Sequence, residues 1–260
     1  MANKFRPLSS DSYAKWSLQA AFQPEGTDGA VKLGDIEALG YTPNITEIER
    51  YSREYPEKTL TRSDVIQKDA SLSMTLLSIT NLVRGILFMD EPESYLAQAA
   101  VTDGTRTITG VKVGRIYSLG YRDVTIVSFD DGEVAPITYV ADTHYRLVAE
   151  TGDIEILAIP AGAGEDAEIS FTAPEILETA ERQQLGIMAG NGVRGKLTCW
   201  GTNDIGEAVH VEFWDVKLTP TGEVALQGGD DYTQVQVQGR VYADGTKASR
   251  FRYGRVTVID

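Results

Sequence analysis

The chain has 260 residues, of which 42% are hydrophobic and 24% charged, with 24 Lys and Arg against 38 Asp and Glu. That composition excludes a wholly disordered chain. The length allows one to two domains at about 150 residues each. The net charge of −14 disfavours a generic DNA- or RNA-binding surface, which needs cations to neutralise phosphates.

Met1 to Trp16 carries Lys4, Arg6, Asp11 and Lys15 without an apolar run, so no signal peptide is expected there. The next features are a strand around Ile45–Ile48 and, after it, residues 49–64. Ten of those sixteen residues are charged or tyrosine: Glu49, Arg50, Tyr51, Arg53, Glu54, Tyr55, Glu57, Lys58, Arg62 and Asp64. The sequence predicts a long loop between two hairpin strands, with the second strand starting near Val65. A loop of this length is usually functional or disordered, and its mixed charges and tyrosines suit a wettable surface that anchors in a partner. It is expected to be disordered in the free protein.

From Ala70 to Leu76 the period is two, with Leu72, Met74 and Leu76 facing a core. Asp69, Ser71, Ser73 and Thr75 then face the other way. Glu47 and Glu49 on the hairpin partner are expected to share that second face if the two strands pair directly. A helix follows, because Ile79, Leu82, Val83, Ile86 and Leu87 recur at helical spacing. Ser78 is the expected N-cap, Gly85 costs about 1 kcal/mol relative to Ala, and Pro92 lies just beyond the end. The longest uncharged stretch, Ala70 to Val83, is too short to span a bilayer, so no membrane insertion is expected.

Residues 93–172 carry a net charge of −8, against −3 for each flanking part. Proline-containing acidic segments, Asp90 to Glu93 and Thr172 to Glu175, bracket this stretch. Residues 94–172 therefore read as a small all-β module inserted into a discontinuous domain of residues 1–93 and 173–260. Its expected strands are Val111–Val113, Val124–Phe129, Ile137–Val140, Tyr145–Val148, Ile154–Leu157 and Ile169–Phe171. Further on, Val209, Val211 and Phe213 alternate with polar residues, and the apolar set then moves to Val216 and Leu218. That slip predicts a β-bulge near Asp215. Val235–Val241 and Arg255–Ile259 read as the last strands. The fold class is mainly β, a sandwich or barrel with one packed helix.

No catalytic constellation emerges, and no enzyme, cofactor or metal site is expected. His144 and His210 read as solvent-facing or rim residues. Cys199 is the only cysteine, which excludes an intrachain disulfide, and it reads as a small buried apolar residue. Gly162 to Asp166 lacks the lysine of a phosphate loop. Asp130, Asp131 and Glu133 lack EF-hand spacing and read as an exposed hairpin tip. Trp16, Trp200 and Trp214 read as core or interface residues. An acidic, β-rich, non-catalytic chain with free sheet edges suits assembly, because edges must be paired, covered or charged.

Three stretches together resemble the major tail tube proteins of long, non-contractile-tailed bacteriophages. The first runs through Ile45 to Ser63, Ala70 to Leu76 and Ser78 to Leu87. The second is Val113 to Gly120 with Thr138 to Ile156, similar to the module often inserted in that group, although His144 stands where an Asp would precede the tyrosine. The third is Val211 to Leu226, Tyr232 to Arg240 and Arg255 to Ile259. The resemblance implies a β-sandwich or barrel flanked by a helix, forming rings, usually of six, that stack into a β-lined tube. The long loop would reach the neighbouring ring, and the inserted module would lie on the exterior. The partners implied are further copies of the chain and the tape-measure, tail-terminator and tail-tip proteins. DNA would pass through a negative lumen without specific binding, in a virion tail assembled in the host cytoplasm. The face carrying Asp69, Ser71, Ser73, Thr75, Glu47 and Glu49 would line that lumen, or is an ordinary exposed sheet face. The alternatives are another phage component of the same fold, such as a terminator, connector or tail-tip hub, which would form single rings. A carbohydrate-binding β-sandwich using Trp200 and Trp214 is a reading from a different class.

Overall fold

A computed structural model describes residues 15–54, 56–178, 182–205, 207–223, 226 and 232–259. In chain order the elements are β1 (Lys15–Pro24), β2 (Val31–Lys32), β3 (Ile36–Ser52), β4 (Thr59–Leu76), α1 (Asn81–Phe88), β5 (Val101–Ile108), β6 (Ile116–Ser118) and β7 (Thr125–Asp130). They continue with β8 (Tyr145–Val148), β9 (Asp153–Ile156), β10 (Ala167–Ala173), β11 (Val193–Ile205), β12 (Ala208–Pro220), β13 (Val235–Val241) and β14 (Gly254–Ile259). The chain is mainly β, as the periodicity indicates. It forms two compact units, one up to Ser94 and from Leu185 onward, the other Tyr95–Gln184.

The first unit is built on one antiparallel sheet in the order β2-β1-β11-β12-β13-β4-β3, with β14 paired to the first half of β12. Period two puts Leu72, Met74 and Leu76 of β4, Val235, Val237 and Val241 of β13 and Leu197 and Cys199 of β11 into one core. The sheet curls, so that Tyr41 of β3 stacks on Phe213 of β12, ring centroids 5.9 Å apart, although β13 and β4 lie between them in the sheet order. The bulge expected near Asp215 is present. Gly195 pairs with Val216 and Leu197 with Phe213, so Trp214 and Asp215 together oppose Lys196. This moves the inward set from Val209 to Val216 and Leu218.

Helix α1 lies against β12 and β13. Eight residues make a marginal helix in water. Burial of Leu82, Val83 and Ile86 holds it in place, each such side chain stabilising by about 1.5–3 kcal/mol. Its N-cap is Thr80, whose hydroxyl accepts the Val83 N–H at 3.3 Å, and not Ser78. The Ser78 hydroxyl instead accepts the Asp35 N–H at 2.9 Å, tying the helix entry to the chain just before β3. Gly85 is needed for a close approach, since a Cβ there would lie 2.7 Å from Pro92 Cα.

The second unit has two three-stranded antiparallel sheets, β5-β10-β7 and β6-β9-β8. They share a core that includes Ile108, Phe129, Tyr145, Ile154, Ile156, Ile169 and Phe171. The unit ends at Gln184, beyond the expected Thr172. Ala173 is buried in its core, Ile176 bridges to Gln98, and Arg182 bonds Asp123 at 2.5 Å. Val111–Val113 and Ile137–Val140 are not strands. The Val111 N–H goes to Glu165 O and the Val140 N–H to His144 Nδ1, so neither segment forms a ladder, and only an isolated Asp130–Thr138 bridge remains. Strands β5 and β6 stand where none was expected. The acidic tip is not simply exposed, because Asp131 is buried and accepts the N–H groups of Ile137 at 2.9 Å and Gly164 at 3.2 Å. The Ile137 hydrogen bond, opposed by burial and supported by Gly164 and Glu133, holds the Asp131 carboxyl below the usual range.

Candidate assembly surfaces

Strands β3 and β4 pair from Ile36↔Leu76 to Ser52↔Thr59. The connection is therefore residues 53–58, not the expected sixteen. Arg50, Tyr51, Arg62 and Asp64 lie within the ladder, Arg53, Glu54, Glu57 and Lys58 lie in the turn, and Tyr55 lies outside the described residues. From Asn44↔Asp69 to the end of the ladder the pair runs over nine residues of β3, about 30 Å at the rise of a strand. Every described residue from Tyr41 to Lys68 except Ser52 is exposed. This arm has no core, yet it exposes Ile45, Ile48, Tyr51, Leu60, Val65 and Ile66. An isolated two-stranded ribbon is at best marginally stable in water, and contiguous exposed apolar groups mark an interaction surface.

The register decides which side chains share a face. Strand β3 alternates without interruption from Ala38, and the extra residues, Ile66 and Thr61, are both on β4. Asp69, Ser71, Ser73 and Thr75 lie opposite Asn44, Thr42, Gly40 and Ala38. Glu47 and Glu49 have the other parity and fall on the opposite face, with Tyr41, Ile45 and Tyr51. The expectation that they share the hydroxyl face is thus overturned, because it assumed a pairing register that β3 and β4 do not adopt. Glu49 accepts the Tyr51 hydroxyl at 2.5 Å, and Glu47 accepts that of Ser63. The Glu49 hydrogen bond, with its charge, pushes the Tyr51 phenol up.

The hydroxyl face continues onto β13, where Gln236, Gln238 and Arg240 lie beside Thr75, Ser73 and Ser71. It is a polar, outward-facing surface of small hydroxyls and amides with one carboxylate, Asp69, and one guanidinium, Arg240. Its small side chains leave the sheet surface low.

At the opposite, core-facing side of the sheet a groove of about 540 Å3 opens between β3, β11, β12 and β14. Glu212 lines it, 6% exposed, and bonds Lys196 Nζ at 2.9 Å and Arg255 Nη2 at 2.5 Å. Burial pushes the Glu212 carboxyl up, but the Lys196 and Arg255 hydrogen bonds and charges outweigh it and hold the group below its usual range. Nothing in the sequence singled out Glu212, which lies in the run of polar residues alternating with Val209, Val211 and Phe213. A charged residue two positions before a bulge, with cations on both neighbouring strands, is the pattern that locates it.

Trp214 has Lys196, Lys247 and Arg255 within 5.0, 4.9 and 5.6 Å of its ring centroid. Trp16 and Trp200 are exposed, so none of the three tryptophans is a fully buried core residue. His210 stacks on Trp200 with centroids 5.8 Å apart, and His144 Nδ1 accepts the Val140 N–H at 2.9 Å. Cys199 is buried, and burial pushes its thiol up to about 12, so it is not a nucleophile at neutral pH. Among the described residues no group of three or more His, Cys, Asp or Glu is placed to hold a metal ion. No described helix is long and apolar enough to cross a membrane.

A family described as "Protein of unknown function UCP028589" matches residues 17–257, and the chain belongs to that family. No curated protein matches the sequence.

Proposed function

We propose that this member of the family is a structural virion protein, a subunit that stacks as hexameric rings into the tail tube of a long-tailed bacteriophage. The observation that carries the reading is the β3–β4 arm. It is a ribbon about 30 Å long that exposes apolar residues on both faces and is tied to its own subunit at its base, where the Tyr253 hydroxyl donates to Lys68 O at 2.6 Å. Such a ribbon is stabilised when a second surface covers it. Repetition around a ring multiplies a contact that is weak in isolation.

The free edges of β3 and β14 offer further places for sheet-to-sheet joining. In this reading the hydroxyl face with Ser71, Ser73, Thr75 and Asp69 lines the channel. Short neutral side chains leave the bore open, and a net charge of −14 keeps DNA phosphates from binding along the way. The tape-measure, terminator and tail-tip proteins are its further partners. Tubes of uniform width in negative-stain micrographs of the concentrated protein are the expected result. Single rings without tubes would point to a terminator, connector or hub, and a protein that stays monomeric at every concentration would refute the assembly role.

A further inference from the structure

Two surfaces of the first unit complement each other. The groove has an apolar floor that includes Leu18, Leu39, Val209 and Phe213. At its mouth Trp16 is 58% and Val256 64% exposed, beside Arg255. Arg250 and Arg252, both exposed, directly precede Tyr253 in its wall. The one carboxylate in the lining, Glu212, is already matched by Lys196 and Arg255, which leaves the mouth cationic.

The arm has two unlike faces. One carries Ile45, Glu47, Glu49 and Tyr51 of β3 with Lys68, Val65, Ser63 and Leu60 of β4, so it is apolar with two carboxylates along its middle and one lysine at its base. The other carries Ile48 and the directly opposed Arg50 and Arg62, with Asp64 beside Arg62. An arm exposed on both faces does not fill its own groove.

We propose that the groove of one subunit receives the Glu47–Glu49 face of the arm of a second copy of this chain. This rests on the assembly reading above and adds the receptor surface to it. Ile45 and Val65 enter the apolar floor, while Glu47 and Glu49 meet Arg250, Arg252 and the outer side of Arg255. Arm and groove are different patches of the same unit, so the contact is heterologous and each copy both gives and receives. Repeated head to tail, such a contact generates closed rings or open filaments.

The test uses the full chain carrying Val65→Cys and Val256→Cys, concentrated and then oxidised, with Cys199→Ala added because Cys199 lines the groove. The expected result is a ladder of dimers and higher species on a non-reducing gel that needs both cysteines. A charge exchange supplies the second readout. Glu47→Arg with Glu49→Arg is expected to weaken association at least tenfold by sedimentation, and adding Arg250→Glu with Arg252→Glu in the same chain is expected to restore it. Tubes that form without the ladder and without charge rescue would overturn the groove as receptor and leave the tube reading intact. A ladder with rescue but no tubes would support this contact and remove the tube reading. Monomers under all conditions would overturn both.

Discussion

The two halves of strand β4 obey the same backbone geometry and meet opposite fates. From Ala70 to Leu76 alternate side chains are buried without exception, and the strand is held by β3 on one side and β13 on the other. From Thr59 to Lys68 every residue is exposed, and among the described residues β3 is the one strand that pairs with it. The lower half is stabilised by burial inside its own subunit. The upper half holds its apolar side chains out for another molecule. A single hairpin therefore carries part of the core at one end and the proposed assembly surface at the other.

The largest effect is expected from cutting into the lower half. Leu72→Ala removes a fully buried side chain and is expected to cost about 2–5 kcal/mol in urea unfolding. Ile45→Ala on the arm is expected to stay within about 0.5 kcal/mol of the parent while polymer formation falls. Equal destabilisation by both would erase the distinction between the halves.

Next comes Gly85→Ala. Helix propensity alone favours alanine by about 1 kcal/mol, but the new methyl would press on Pro92 at 2.7 Å. A net loss of about 1–3 kcal/mol is expected, read as a lower urea midpoint. A stabilised variant would show that the Pro92 segment is free to move.

The acid limb of the stability curve gives a smaller effect. The folded Glu212 carboxyl is held below its ordinary value. Its stabilising contribution is therefore fully present above the unfolded value of about 4.3 and is lost as pH falls through the lower, folded value. Glu212→Gln should flatten the pH dependence in that window, and an acid limb unchanged by this variant would show that Glu212 does not carry it. Smallest of all, Met89 holds φ of 58° at the helix C-cap. Met89→Gly is expected to raise stability by about 0.5–1 kcal/mol, seen as a small increase in Tm.

What the sequence reveals follows the same division. Period two is visible at 70–76 and 235–241 because one face of each strand is dry and the other wet. It fails along the arm, where both faces meet water and charged residues occupy either parity, so Arg50, Arg62 and Asp64 read as loop. Strand β1 is hidden because Ala20, Ala21 and Phe22 are buried in succession. Strand β5 is hidden by Gly104, which makes room for the Phe171 ring at 2.6 Å from where a Cβ would stand. The cap moved from Ser78 to Thr80 because a distant backbone group, the Asp35 N–H, claims the serine. The bulge at Trp214–Asp215 was legible because the apolar phase slips across it. The groove and Glu212 were not, since both depend on strands far apart in the chain.

The account turns on whether the arm serves another copy of the chain. The most direct measurement replaces Ile45 to Lys68 by Asn-Gly, which closes the paired residues Asn44 and Asp69 with a two-residue hairpin turn and removes the whole arm. Sedimentation and urea unfolding are then followed on the variant and its parent. A cooperative unfolding transition within about 1 kcal/mol of the parent, together with complete loss of polymer, is the predicted result. Normal polymers from the shortened chain, or a subunit that no longer folds, would contradict it.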